Sequence, residues 1–254
     1  MLSFVQHVCF VGMGGIGGWC VPPLLRFLHA ESFAGDIVLV DGDAFTLGNM
    51  ARQDANPEDT GEFKADVFTT RLLHALPGLR LRSCPEFITV DNVARLVPEN
   101  SLVLSAVDNH PARAVMARHA ATLQDACILS AGNDLLDGNV HITLRRAGKD
   151  LTIPLLERHT EIATAKSGDR SRMGCEDLIA AGRPQLLVTN FLAAAALFTA
   201  FYCLWDKEMG RRSRKRRSAL LQEVYFDVRD PALSALGSPV HPQQSNFPAS
   251  VQQQ

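Results

Sequence analysis

With 254 residues, 46% of them hydrophobic and 20% charged, the chain has the composition of a soluble globular enzyme with a full core. Its length suits one large domain or a domain with an appendage, and a net charge of −2 selects no class of partner. The longest apolar run, Asn190 to Trp205, is shorter than a bilayer requires, and no leader precedes the first glycine turn. The expectation is a cytoplasmic protein with no membrane span.

Short apolar runs and helix-like segments alternate over the first 145 residues. Strands are predicted at His7–Val11, Ile37–Asp41, Leu79–Ser83, Leu102–Ala106 and Ile128–Ala131. Helical stretches at Val21–Leu28, Ala65–Leu76 and Ala112–Leu123 fall between them. This order predicts an α/β fold, a Rossmann-like and mainly parallel sheet with helices on both faces. Residues 138–148 read as a further strand with alternating faces. Residues 149–174 lack periodicity and read as a mobile crossover connection. A long buried helix from about Gln185 to Trp205 and a last strand over residues 220–228 come next, so antiparallel strands continue the sheet. The domain is expected to end near residue 235, before a Pro/Gln/Ser-rich tail at 236–254 whose composition marks disorder.

Between the first strand and first helix stand Gly12, Gly14, Gly15 and Gly17. Glycines there let the backbone bend tightly and approach a phosphate, which a helix N-terminus favours. Asp41, 24 residues past Gly17, ends the second strand, where a carboxylate can bind ribose hydroxyls. A nicotinamide dehydrogenase fits this much. It has no use for the residues further along the chain: Asp43, then Asn49, Arg52 and Gln53 as N-x-x-R-Q, then Lys64, then Asp108, Asn109 and Arg113 as D-N-x-x-x-R.

This ordered series resembles the signature of the ThiF/MoeB/HesA superfamily, adenylyltransferases similar to ubiquitin-activating enzymes. The likeness covers residues 7–145 well and extends loosely to about 205. It implies ATP-dependent adenylation of a C-terminal carboxylate, that of a ubiquitin-like or sulfur-carrier protein ending in Gly. Charge grows on the phosphate oxygens as pyrophosphate leaves, and Arg52 and Lys64 are the cations the resemblance places on them. Asp108 would hold Mg²⁺ with the ATP, alongside Asn109. Asp41 would take the ribose with Asp43 beside it, and Asn49 and Gln53 the phosphate side of the pocket.

Many relatives pass the adenylated carboxyl to a cysteine of their own, and others stop at the adenylate. Cys175 stands where the crossover segment meets the long helix, close to where the ThiF branch carries its reactive cysteine. Arg170 and Arg172 favour a thiolate there, whereas Glu176 and Asp177 oppose it. A nucleophile and a bland loop cysteine both remain open. The other five cysteines, Cys9, Cys20, Cys84, Cys127 and Cys203, read as small core residues.

Two departures from the family stand out. The chain lacks paired C-x-x-C motifs, so no zinc is expected. Only six residues precede the first strand, which leaves no room for the helix by which many relatives complete a neighbour's ATP site. A homodimer is still implied, with a downstream conjugating enzyme or sulfur donor as a further partner. The run Arg211 to Arg217 carries six positive charges without an aromatic, and reads as a solvated loop rather than a nucleic-acid site. An adenylate-only enzyme and a non-catalytic partner subunit are the alternative functions.

Overall fold

Successive residues of a strand face opposite sides of a sheet, and here both sides are apolar. In β1 (His7–Val11), Val8 and Phe10 belong to one core and Cys9 and Val11 to another. A strand buried on both faces needs helices above and below, which is the parallel α/β arrangement. The computed structural model describes residues 2–164, 187–205, 220–229 and 234–237.

Among the described residues nine strands form one sheet. β1 lies between β2 (Asp36–Val40) and β4 (Ser101–Ser105), with β3 (Arg80–Cys84) beyond β2 and β5 (Ala126–Asn133) beyond β4, all parallel. The sheet continues antiparallel through β6 (Asp137–Arg146), which pairs with the short β7 (Lys149–Asp150), to β8 (Leu221–Asp227) and β9 (Ser234–Gly237). One core packs the sheet against α1 (Gly15–Ala30), α2 (Lys64–Ala75) and α7 (Leu187–Trp205). The other packs it against α3 (Val93–Leu96) and α4 (His110–Ala120). Leu24, Leu25 and Leu28 on α1 are fully buried, and each contributes on the order of 2 kcal/mol.

The mainly parallel sheet with helices on both faces is the one the sequence predicts. The differences are local. α1 begins at Gly15, upstream of the predicted Val21, because the helix runs straight out of the glycine turn. Pro22 and Pro23 therefore lie inside it and leave the carbonyls of Gly18 and Trp19 without their usual helical donors. Packing makes up for this: the Phe27 ring meets Phe198, Phe201, Tyr202 and Trp205 of α7 edge-on at 5.6–6.3 Å.

The segment expected to be a mobile connection is ordered in its first part. β7 is followed by α5 (Leu155–Arg158) and α6 (Thr160–Ala163), which pack Leu155 and Ile162 onto Ala114 of α4. Their apolar residues are too few and too irregularly spaced to show a period. Residues 165–175 lie outside the described residues, as do Arg211–Arg217 and 238–254. β9 crosses the expected start of the tail at 236. α7 is long and apolar enough to cross a membrane by length and composition alone. Its Ala193, Ala196, Leu197, Ala200 and Phe201 are fully buried in the first core.

Candidate functional site

β1 has β2 on one side and β4 on the other, so chain connections leave in opposite directions at its C-terminal end and open a crevice there. The glycine turn fills it. Gly12 has φ +92°, and a Cβ on it would lie 2.8 Å from the carbonyl oxygen of Ala106. A Cβ on Gly17 would fall 1.8 Å from the oxygen of Gly12. These two positions require glycine, one for its conformation and one for close approach. Gly14 differs: among the described residues a Cβ there would find only Gln53 Nε2 at 3.8 Å, so these residues leave the turn open on the side that faces the Asn49–Gln53 segment.

Asp41 follows β2 and is buried, with both carboxylate oxygens engaged. Oδ2 accepts from the backbone N–H of Met13 in the turn, and Oδ1 accepts from that of Asp43 at 2.8 Å. A carboxylate offers about four acceptor sites, so these bonds leave room for ribose hydroxyls. Burial pushes the Asp41 carboxyl above its ordinary range, against the pull of Lys64 and the two N–H donors. Lys64 opens α2, and its Nζ lies 3.1 Å from Oδ2 of Asp43. The lysine side chain is 4% exposed and its partner's 54%. Desolvation and the helix dipole both disfavour a cation at this place, and the carboxylates of Asp43 and Asp41 offset that cost.

Asn49, Arg52 and Gln53 form a compact turn. Asn49 Oδ1 accepts from Thr46 N at 3.0 Å, and its carbonyl accepts from the N–H groups of Arg52 and Gln53. All three side chains are buried. Nε of Arg52 and Oε1 of Gln53 have no hydrogen-bond partner among the described residues. Two orphaned polar atoms on neighbouring residues are costly unless something else binds them. The carbonyl of Arg52 accepts from Trp19 Nε1 at 3.2 Å and from Asn190 Nδ2 at 3.3 Å.

Asp108 is exposed three residues beyond β4, and two residues past the Ala106 carbonyl that crowds Gly12. Asn109 caps α4, its Oδ1 accepting from Ala112 N at 2.9 Å. Arg113 donates to the carbonyls of Val107 and Ala131 and fixes this loop against β5. These contacts tie Asp41 to the turn of Gly12, Gly14, Gly15 and Gly17, Lys64 to Asp43, and Gln53 of the Asn49–Arg52–Gln53 segment to the side at Gly14, while Asp108 and Asn109 follow the β4 end that crowds Gly12. Cys175 lies outside the described residues.

The ThiF family matches residues 3–155. The chain belongs to the ThiF family. Among relatives of this ThiF chain, the tRNA threonylcarbamoyladenosine dehydratase of Escherichia coli is 34% identical over 114 residues, 44% of this chain and 41% of that one. The sulfur carrier protein adenylyltransferase of Thermus thermophilus is 32% identical over 136 residues, 53% of this chain and 48% of that one. The chain spans about half the length of the curated relatives it matches. In fold it resembles E. coli MccB solved with ATP, at a TM-score of 0.64 and 19% identity over 95% of this chain and 65% of that one.

Asn190 and Asn133, which adjoin the Arg52 segment, escape the sequence motifs. Asn190 on α7 is fully buried, donates to Arg52 and accepts from Asn133 Nδ2 at 3.0 Å. A Cβ on Gly15 would fall 2.4 Å from its amide nitrogen, so Asn190 touches the glycine turn as well. The available signal was a single amide at the head of an otherwise apolar run. A groove of about 590 Å³ lined by Leu2, Val5, Phe27, Tyr202 and Trp205 sits at the far end of α1 and contains none of the candidate residues.

Proposed function

We propose that this ThiF protein uses ATP to adenylate a carboxylate, the C-terminal glycine of a ubiquitin-like or sulfur-carrier protein. The observation that carries the reading is the pair of buried atoms without a partner among the described residues, Arg52 Nε and Gln53 Oε1, on the segment that faces Gly14 of the glycine turn. A triphosphate laid along the turn gives Arg52 an anion, and the N-terminus of α1 favours the same charge. Asp41 holds the turn through Met13 and offers its remaining acceptor sites to the ribose. Lys64 keeps a desolvated cation beside it. The carboxylate oxygen attacks the α-phosphorus, the phosphorus bond to the bridging oxygen breaks, and pyrophosphate leaves. Arg52 and Lys64 meet the growing charge without having to reorganise. Asp108, an exposed hard-oxygen donor at the crevice, is suited to hold Mg²⁺, which when bound neutralises phosphate charge.

In the second step the thiol of Cys175 attacks the acyl adenylate, a thioester forms, and AMP and a proton leave. Proximity supplies most of that step. The protein acts as a cytoplasmic homodimer with a conjugating enzyme or sulfur donor downstream. An adenylate-only enzyme lacks the thioester step. A non-catalytic partner subunit has no use for the cations.

A second reading has a specific observation behind it, the 34% identity to a tRNA threonylcarbamoyladenosine dehydratase. The threonyl group of that nucleoside also carries a carboxylate, and the same phosphate site would activate it. One assay separates the two. Exchange of labelled pyrophosphate into ATP is measured with a Gly-terminated carrier protein or with tRNA bearing the modified nucleoside. Stimulation by the carrier supports the first reading, and stimulation by the tRNA alone replaces it. Tight NAD binding with no ATP binding overturns both.

A further inference from the structure

On the sheet face opposite α1 and α7 lies a second polar cluster, and the adenylation reading makes no use of it. His141 on β6, His159 between α5 and α6, and Glu223 on β8 each offer one ligand atom, and the three atoms lie within 4.8 Å of one another. His141 and Glu223 are register partners across β6 and β8 and are 1% and 0% exposed.

The hydrogen bonds around the cluster orient each side chain toward its centre. His141 Nε2 donates to the carbonyl of Ile153 at 3.0 Å, which leaves Nδ1 as the lone-pair nitrogen. That Nδ1 is buried and has no hydrogen-bond partner among the described residues. His159 turns Nδ1 to Glu161 Oε1 at 3.1 Å and Nε2 to Glu223 Oε1 at 2.8 Å. Glu223 is steadied in turn by Asn139 Nδ2 at 2.6 Å and by the Tyr225 hydroxyl at 2.6 Å. Imidazoles with one nitrogen held by a carbonyl or a carboxylate, as Nε2 of His141 and Nδ1 of His159 are here, and the other close to further ligand atoms are oriented as metal ligands are.

We propose that His141 Nδ1, His159 Nε2 and Glu223 Oε1 bind a divalent first-row transition metal of the Zn²⁺ class. Two imidazole nitrogens and one carboxylate oxygen suit zinc and its neighbours and disfavour Mg²⁺ and Ca²⁺, which take oxygen ligands. The metal replaces the proton that His159 Nε2 shares with Glu223, and that proton leaves to solvent. Arg158, 3.4 Å from Glu223 Oε2, is a permanent cation at the edge of the cluster. Its side chain is 40% exposed, so its head group can turn to water. Bound there, the metal clamps the α5–α6 turn to β6 and β8. This departs from the expectation of no zinc, which rested on absent C-x-x-C pairs. Ligands drawn from three segments across residues 141–223 have no such spacing.

The test uses the full chain, stripped with a chelator and titrated with Zn²⁺ and with Co²⁺ in the absence of nucleotide. One metal per chain is expected, with visible Co²⁺ bands of a four- or five-coordinate nitrogen and oxygen site. His141→Gln and His159→Gln should each weaken binding at least about 100-fold while the far-ultraviolet spectrum stays unchanged. X-ray absorption on the wild-type zinc form should give a first shell of nitrogen and oxygen near ~2.0–2.1 Å. It also decides the matter if the variants fail to fold. No stoichiometric binding, a sulfur shell near ~2.3 Å, or unchanged affinity in folded variants overturns the site. None of these readouts depends on ATP, so the adenylation reading stands or falls separately.

Discussion

The side-chain amide of Asn190 donates to the carbonyl oxygen of Arg52 at 3.3 Å and joins residues 138 positions apart. The same amide accepts from Asn133, so one α7 side chain ties the end of β5 to the segment that carries Arg52. Asn190→Leu keeps the volume and removes both bonds, which leaves the half-buried Asn133 amide without this acceptor. A loss of about 1–3 kcal/mol in urea denaturation is expected, together with a raised KM for ATP in the exchange assay. Equal stability with unchanged KM would show that the link does not position Arg52.

Lys64→Met should separate function from stability. The substitution removes a buried cation whose ion-pair partner, Asp43, is half exposed. Its removal ends the desolvation cost of the ammonium, Asp43 keeps its water, and the buried Asp41 carboxylate loses a favourable charge, so the net change in stability should stay within about 1–2 kcal/mol. Pyrophosphate exchange should nevertheless fall about 10²–10³-fold. A variant that is both less stable and fully active would mean that Lys64 serves the fold.

Asp108→Ala tests the proposed magnesium ligand. The residue is exposed, so stability should stay within about 0.5 kcal/mol of the parent. Exchange should drop to background at all magnesium concentrations. Retention of exchange would remove Asp108 from the phosphate site.

The glycine turn makes a steric prediction. Gly17→Ala sets a methyl group 1.8 Å from the Gly12 carbonyl, so the turn must open, at a cost of about 3 kcal/mol or more and with loss of ATP binding. Gly61→Ala is the control. Gly61 has φ +92° but nothing within 4 Å of a Cβ, and its cost should be only the left-handed strain, about 1–2 kcal/mol, with ATP binding kept.

Thiol chemistry tests the role proposed for Cys175. Burial pushes Cys9 and Cys127 up to about 12 and raises Cys20 and Cys84 as well. At pH 8 a thiol titrating near 12 is ionised in only about one molecule in ten thousand, so Cys9 and Cys127 should resist alkylation in the native protein, and burial keeps reagent from Cys20 and Cys84 as well. Mass spectrometry should find Cys175 labelled ahead of them and protected once ATP and the carrier are added. Cys175→Ala should lose the thiol-labile adduct yet keep carrier-dependent exchange. An unchanged adduct would move the role away from Cys175.

The sequence reveals what local patterns encode. β1, β2, β4 and β5 show because parallel strands buried on both faces are apolar runs, the edge strand β3 shows by its alternation, and each predicted strand end lies within two residues of the observed one. The widest gaps fall at the two ends of β5, where Ala126 and Asn133 carry little apolar signal. Gly12, Asp41 and Asp108 show because they sit just after strand ends, and Asn49, Arg52, Gln53 and Lys64 because they follow in an ordered series up to the start of α2. Asn190 does not, since its role depends on α7 lying beside the glycine turn, and no spacing encodes that. The same holds for His141, His159 and Glu223, where β6–β8 pairing creates the cluster. α5, α6 and β9 are too short to establish a period.

The two prolines inside α1 bear on the order of assembly. A helix that lacks two of its own hydrogen bonds gains little from forming alone, and its aromatic support on α7 is made some 170 residues later in the chain. On the ribosome, the face of α1 that carries Phe27 therefore stays uncovered until Phe201 has left the exit tunnel. Closure of so long a loop makes folding slow and late. The nucleotide crevice, encoded almost entirely in the first half of the chain, would then be among the last parts to become native.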